Sequence, residues 1–527
     1  MLPLLLASLA SLPPIPPADQ EPDPEISEAI SDEAATTARA FCSGLKTQDP
    51  SKLLATLTSD FHASGLSAEP LDGAHFSDAL FARAAQAAIV RRCTFKPFQF
   101  QTNKAHDVAI AKLWLTLDGL DKDGKRFADH GDVEARLIRK DGKLVFAELA
   151  LEPRKWTSGG APMFTDVTRA LGIDQSFEKK VELRTLVGGH DNGGISIADF
   201  DGDGDLDIYV CRDGKNLLYR NDGDGHFTEV AQRAGVADPG NGRAAIFVDL
   251  DNDGDLDLFV ANKANEKNGR GNRLYRNDGH GHFTDITESA GVGQVGPYTH
   301  VAAADIDGDG LIDLYVTAYG EESQHPGPTL LDAHNGRPNL LLHNLGHMKF
   351  EEIAKNVGVA GREWSYAAEL ADLDGDHKPE LIVINDWGAP RLYQNLSTPG
   401  RVKFKEVTKE SGIVDPGNGM GVDIGDVDGD GKPDIHISKM YSTAGNRLLS
   451  QVVPGDPHWL EVARNAARGD SLFHNDGNLH FTEVGESAGI RRGGWAWSCE
   501  MADVDDDGDL DLFVTNGFHT GQREDEL

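Results

Sequence analysis

The sequence predicts a mainly β chain: a β-propeller preceded by a small α+β domain. Three observations carry that prediction. One short acidic loop recurs six times between Asp199 and Asp511, always running into an apolar β-type segment. Each recurrence sits in a unit whose other parts keep a constant order of short strands and tight turns. Residues before about Pro162 lack the loop and show helical spacing followed by strand alternation. At 527 residues the chain is long enough for two domains and a sizeable core.

The loops read D-x-D-x-D-x-x-x-[DE], with Gly after the third Asp in all but one. The first holds Asp199, Asp201, Asp203, Asp205 and Asp207; the second holds Asp249, Asp251, Asp253, Asp255 and Asp257. The third holds Asp305, Asp307, Asp309, Leu311 and Asp313; the fourth holds Asp372, Asp374, Asp376, Lys378 and Glu380. The fifth holds Asp426, Asp428, Asp430, Lys432 and Asp434; the sixth holds Asp503, Asp505, Asp507, Asp509 and Asp511. Like charges a few ångströms apart repel unless a cation sits among them. Hard oxygen ligands at alternate positions of a tight turn suit Ca2+, which takes six to eight. The expected shell is the side chains at positions 1, 3, 5 and 9 and the backbone carbonyl at position 7, for up to six Ca2+ ions. Lys378 at position 7 and Glu380 at position 9 place the fourth site among the weakest. An EF-hand would need a bidentate Glu at position 12 between helices. Here position 12 is Val210 in the first loop and Val260 in the second, both inside β-type runs. Solvated turns without metal are the alternative, and sixfold recurrence in one register argues against it.

Within a unit, a short strand such as Gly194–Ala198 or Trp495–Ser498 enters the loop, which leaves into an apolar strand such as Leu206–Val210 or Leu256–Val260. A third strand follows, Asn216–Arg220 in the first unit and Asn272–Arg276 in the second. A tight turn, Asn221–Gly225 or Asn277–Gly281, leads to a fourth strand that begins at Phe227, Phe283, Phe350, Phe404 or Phe481. Gly-Val or Gly-Ile closes each unit. The loop starts lie on average about 61 residues apart, longer than the roughly 40–50 of common propeller blades. Four short antiparallel strands per repeated unit make a propeller blade; a linear solenoid is the alternative. Six units are visible within residues 162–527, and a seventh blade is compatible with the pattern. An orphan fourth strand, Phe164–Val167, with its own Gly172-Ile173, is expected to complete the final blade and cover edges that would otherwise be exposed.

Motif, order and the Leu-Tyr-Arg-Asn-Asp-Gly turn recur together, and in this they resemble the FG-GAP/VCBS repeats of integrin-α-type propellers. The array is more closely similar to the secreted ASPIC/UnbV, or cartilage acidic protein-like, family. The resemblance covers roughly residues 164–527. It implies Ca2+ binding in these loops and a role in adhesion or extracellular interaction. The chain departs from that family in two respects: the usual C-terminal domain is absent, and an α+β domain is added at the N-terminus.

Residues 1–24 read as a signal peptide and Pro-rich linker: Met1–Leu12 is an apolar run without Lys or Arg. Export is thus expected, to the extracellular space or a periplasm. Residues 25–156 carry helical spacing at Ile26–Leu45, Ser51–Leu57 and Ala74–Arg92. Strand alternation follows at Phe95–Thr102, Val108–Leu117, Val133–Ile138 and Leu144–Leu149. Helices followed by a curled antiparallel sheet resemble the NTF2-like (SnoaL-like) fold, in which His106, His130 and Asp132 would line a pocket; surface polar residues are the plainer reading.

A formal net charge of −36 disfavours nucleic acid or an anionic membrane as partner. No later segment is apolar for the roughly 18 residues a membrane span requires. Cys42 with Cys93, and Cys211 with Cys499, are candidate disulfides in an exported protein; free buried thiols are the alternative. One glycosylation sequon stands at Asn395. Strand parity puts the acidic loops on one face with the tight Asn-Asp-Gly turns. The longest loops, Asn262–Gly271, Ala318–Pro338 and Lys439–Gly469, fall on the opposite face. His325, His334, Arg337, Trp387, Tyr441, His458 and Trp459 lie in or beside them, either as a binding surface or as packing over a central channel. The sequence contains no G-x-S-x-G, H-E-x-x-H, P-loop or dinucleotide fingerprint. The leading expectation is therefore a secreted Ca2+-stabilised propeller that binds an extracellular protein or glycan opposite the Ca2+ loops. A carbohydrate-active lyase or hydrolase is the alternative.

Overall fold

Apolar and small side chains three or four residues apart build the first element, α1 (Pro24–Thr47), which buries Ile30, Ala34, Ala38, Phe41, Cys42 and Leu45. The computed structural model describes residues 24–64, 70–84, 87–103, 105–121, 126–151, 157–158, 166–173, 193–264, 269–320, 333–449 and 457–516. The expected signal peptide, Phe164, Thr165 and His325 lie outside them. Two compact units result. One spans Met1–Thr165 with Ser442–Ala467; the other spans Asp166–Tyr441 with Arg468–Leu527.

In the first unit, Asp49 accepts the backbone N–H of Ser51 at 3.0 Å and caps α2 (Pro50–Leu54). β1 (Leu57–Ser64), β2 (Leu71–Asp72) and α3 (Gly73–Ala84) follow, then β3 (Ala87–Thr102), β4 (Val108–Asp121), β5 (Arg126–Lys140), β6 (Lys143–Leu151) and β7 (Thr157–Ser158). The sheet order is β2-β1-β6-β5-β4-β3, antiparallel except for the parallel β1–β6 pair. Register shifts at Ala87/Ile89, Val90/Arg92 and Pro97/Gln99 bend β3. Phe41, Phe61, Phe76, Phe95 and Phe146 meet over the concave side, and the Cys42 and Cys93 sulfurs lie 2.7 Å apart. This is the α+β order that the NTF2-like resemblance implied. Two expectations fail locally. The helix expected at Ala74–Arg92 ends at Ala84, because Ala87–Arg92 pairs with β4. The helix expected at Ser51–Leu57 gives way at Leu57 to β1, whose parallel partner is about 85 residues away.

The second unit is a run of antiparallel sheets in which each strand pairs with the next. Sheet 1 is β8 (Ile195–Ala198), β9 (Asp207–Val210), β10 (Leu217–Asn221) and β11 (Phe227–Glu229), closed by the one-turn α4 (Ala231–Ala234). Sheet 2 is β12 (Gly242–Val248), β13 (Asp257–Asn262), β14 (Arg273–Asn277) and β15 (Phe283–Asp285), then α5 (Thr287–Ala290). Sheet 3 is β16 (Tyr298–Ala304), β17 (Asp313–Ala318), β18 (Leu340–Asn344) and β19 (Phe350–Glu352), then α6 (Ala354–Val357). Sheet 4 is β20 (Ser365–Ala371), β21 (Glu380–Asn385), β22 (Arg391–Asn395) and β23 (Phe404–Glu406), then α7 (Thr408–Ser411). In sheet 5, β24 (Gly419–Gly425) and β25 (Asp434–Lys439) are followed by α8 (Thr443–Leu449) and α9 (Pro457–Ala467). The sheet ends with β26 (Ser471–Gly477) and β27 (His480–Glu483). Sheet 6 has β28 (Ala496–Ala502) and β29 (Asp511–Asn516).

Second strands β13, β17, β21 and β25 are buried throughout, as strands covered on both faces must be. The first strands of successive sheets lie side by side, and residues from all six line one cavity of about 1040 Å³. That is the blade order of a propeller. Leu171 accepts the Phe227 N–H at 2.8 Å, and Gly172 lies against the Phe227 carbonyl just as Gly235 lies against that of Phe283. Residues 166–173 thus take the place of a preceding unit's end. The longest insertion, Ser442–Ala467, belongs to the first unit, where α8 packs on β3.

Candidate metal centre

The acidic loops share one backbone path. Position 4 has positive φ in every loop (Gly202, Asn252, Gly308, Gly375, Gly429, Asp506), and so does position 6 (Gly204, Gly254, Gly310, His377, Gly431, Gly508). Glycine adopts that conformation at least cost, which explains D-x-D-G-D-G. Position 1 folds the turn: Asp199 accepts N–H groups from Gly202, Asp203 and Gly204 at 2.8, 3.1 and 2.9 Å. Asp305 and Asp372 each do the same with three loop amides, and Asp426 and Asp503 with two.

Position 9 has a structural duty that the motif alone did not show. Asp207 accepts the Phe200 N–H at 3.1 Å and the Asn221 N–H at 2.7 Å. Asp257, Asp313, Glu380 and Asp434 repeat this pairing, each joining loop position 2 to the end of the third strand. In sheet 6 Asp511 accepts the Val504 N–H. Burial pushes Asp207 up to about 6 and Asp257, Asp313 and Glu380 up to about 7.

Carboxylate oxygens converge within 4.8 Å in the groups Asp199–Asp201–Asp203, Asp249–Asp251–Asp257 and Asp305–Asp307–Asp313. Two further groups include an imidazole: Asp307–Asp309–His343 and Asp428–Asp430–His474. Buried oxygens of Asp201, Asp249 and Asp307 have no hydrogen-bond partner. Orphaned anionic oxygens in a convergent set fit a divalent cation. At position 7 the Asp205 and Asp255 carboxylates lie against the turn glycines Gly223 and Gly279 instead of joining these groups. In the fourth loop the Lys378 ammonium lies 3.0 Å from Asp376, and in the fifth Lys432 meets Asp430, so each has a built-in counter-charge. The sixth loop is exposed throughout, and like-charge repulsion from Asp507 leads the causes that raise Asp505.

One position missed in the sequence reaches every loop that has a third strand: the residue before the strand-ending Asn. Arg276 lies 2.9 Å from Asp251 and 3.1 Å from Asp253. His343 lies 3.3 Å from Asp307, Gln394 3.4 Å from Asp374, and His474 3.3 Å from Asp434. Arg220 raises its own proton affinity through Asp222 first, with Asp201 and Asp203 contributing. Period-two alternation would have pointed this residue at the loop side.

Other candidates separate. His106 sits on the β3–β4 turn and Asp132 pairs with Trp114 six residues along β4 from Val108, about 20 Å away; the side chain of His130 lies outside the described residues. Of the residues expected on the opposite face, Trp387 donates to Tyr319 and His334 lies 3.5 Å from Glu363. The side chains of His458 and Trp459 lie outside the described residues.

The FG-GAP-like repeat family matches residues 199–260, 249–316, 372–437 and 459–514. Human cartilage acidic protein 1 is 27% identical over 353 residues, 62% of this chain and 48% of that protein. Its Xenopus tropicalis counterpart is 24% identical over 363 residues, 62% and 49%. The chain thus spans about half the length of these curated relatives. Among solved structures, an Agrocybe aegerita lectin that recognises non-reducing terminal N-acetylglucosamine aligns over 77% of this chain and 85% of its own, at 16% identity and TM-score 0.35. A conserved protein from Planctomyces limnophilus aligns over 24% of this chain and 98% of its own, at 17% identity and TM-score 0.21. Four segments of the repeat array match the FG-GAP-like repeat model, and 62% of the chain is similar to human cartilage acidic protein 1.

Proposed function

We propose that this chain is an exported binding protein whose acidic loops hold Ca2+ as structural staples and whose partner is an extracellular protein or glycan. The observation that carries the reading is the sixfold loop with convergent carboxylates and orphaned buried oxygens in its first three copies. Asp side chains at positions 1, 3 and 5 supply the hard oxygens, and position 9 adds charge while fixing the loop to its sheet. Bound Ca2+ removes the repulsion among these groups; the residues themselves orient the turn. The apolar run Met1–Leu12 supports export, and no described helix is long and apolar enough to cross a membrane. The partner is expected on the face opposite the loops.

The test is a screen of the full chain against glycans and extracellular proteins in Ca2+ and in EGTA, beside a polysaccharide turnover assay. Ca2+-dependent binding without turnover is the expected result. Turnover abolished by substitutions on the opposite face would overturn the reading.

A further inference from the structure

The third and fifth loops each add an imidazole to their carboxylates, and in the third the carboxylate facing it is buried. Asp307 at its position 3 is 3% exposed, and neither of its carboxylate oxygens has a hydrogen-bond partner. The Nε2 atom of His343 is also buried and unpartnered by hydrogen bonding, and it stands 3.3 Å from Asp307 Oδ2. Asp309 completes a group whose ligand atoms all lie within 4.8 Å of one another. A tetrahedral Zn2+ site with Zn–N and Zn–O bonds of about 2.0–2.2 Å has ligand atoms roughly 3.3–3.5 Å apart along its edges. The His343–Asp307 separation matches that edge. Ca2+ takes oxygen ligands, whereas imidazole suits Zn2+ and its first-row neighbours.

We propose that the third loop is a mixed carboxylate–imidazole site, formed by Asp307, Asp309 and His343, that holds a first-row divalent cation of the Zn2+ type in place of Ca2+. The inference rests on the reading of the loops as cation sites and gives one of them a different occupant. The chain contains its own contrast. The equivalent residue is Arg276 in sheet 2, where a guanidinium faces the carboxylates, and Gln394 in sheet 4; in sheet 5 it is His474, but there Asp428 and Asp430 are exposed and the Lys432 ammonium already meets Asp430.

The test uses the full chain, stripped with EGTA and dialysed, and two variants, His343→Gln and His474→Gln. Gln already occupies this place in sheet 4, so the first is expected to fold. Zn2+ is titrated by calorimetry, Co2+ binding is read by visible absorption, and Ca2+ stoichiometry is measured in parallel. His343→Gln should weaken the tightest Zn2+ site at least tenfold and remove the intense tetrahedral Co2+ band, leaving Ca2+ uptake at the other loops unchanged. His474→Gln should leave the tightest Zn2+ site and the Co2+ band unchanged, and loss of the band in that variant would overturn the assignment to the third loop. An unchanged Zn2+ isotherm and Co2+ spectrum in His343→Gln, with Ca2+ still bound, would overturn this inference alone and leave His343 as a counter-charge. Ca2+ uptake by none of the loops would instead overturn the calcium reading.

Discussion

A carboxylate that accepts two backbone N–H groups from different strands works as a strap whether or not a metal is bound. Asp257→Ala leaves the Leu250 and Asn277 amides without their acceptor. It should cost roughly 2–5 kcal/mol in urea unfolding, and a loss below about 1 kcal/mol would contradict the assignment. The acid itself was legible as the ninth position of a repeated motif. Its partners were not, because the Asn that donates to it lies 14 residues on in sheet 1 and 41 residues on in sheet 5. A second residue-scale case lies in the central cavity. Burial first, then Asp423 and Glu500, push Glu369 up to about 7. Its folded-state proton affinity exceeds the ordinary value, so its contribution to stability is fully present below about pH 4.5 and is lost as pH rises through 7. Glu369→Gln should therefore stabilise the chain by about 1–3 kcal/mol at pH 8 and not at pH 4. Equal effects at the two pH values would refute that. Deeper still, burial would raise Asp415, but Lys439 and Arg468 outweigh it and hold it low. Asp415→Ala removes the carboxylate that neutralises the buried Lys439 ammonium, at an expected cost of about 3–5 kcal/mol in urea unfolding.

At the scale of elements, the Asn near the end of the third strand ties its own sheet to the one before it in sheets 2 to 5. Asn277 donates to the Phe200 carbonyl, Asn344 to Leu250, Asn395 to Ile306 and Asn475 to Leu373, all at 2.8–3.0 Å. The acceptors are position-2 residues of the preceding acidic loop, so loop and turn lock sheet to sheet. The same Asn was legible only as a turn residue, since the acceptor lies some 77 to 102 residues earlier. This also explains Asn395. Its side chain is 1% exposed and committed to two carbonyls, so the sequon is a strap and not a glycan site. Asn395→Ala should lower stability by about 1–3 kcal/mol, and intact-mass analysis should find no glycan at this site after expression in a glycosylating host. The one-turn helices that close sheets 1 to 4 escaped notice because four residues carry no periodicity, although the Gly that ends each one was visible. In the N-terminal domain, Ala87–Arg92 read as helix because short apolar runs are ambiguous until pairing decides. There β4 supplied the pairing.

The molecule as a whole repeats one solution: a buried second strand, an acidic loop before it and an Asn turn beside that loop. Repetition is why the array was legible. Six copies in one register reveal constraints that a single copy hides, whereas the first unit has no repeat, and its β1–β6 pairing is long-range. The opposite-face insertion at Ser442–Ala467 looked available to a partner, but its helix α8 packs on β3 instead. Nothing local to that insertion announces so distant a partner. The central claim is that divalent cations hold this array together. Each site filled at a hundredfold excess over its Kd adds about 2.7 kcal/mol, and 1 kcal/mol shifts Tm by roughly 2–4 °C in a unit of this size. Thermal unfolding of the full chain in millimolar Ca2+ and in EGTA, at equal ionic strength, tests the claim most directly. The predicted result is a Tm higher by at least about 5 °C in Ca2+; the same Tm in both buffers would contradict it.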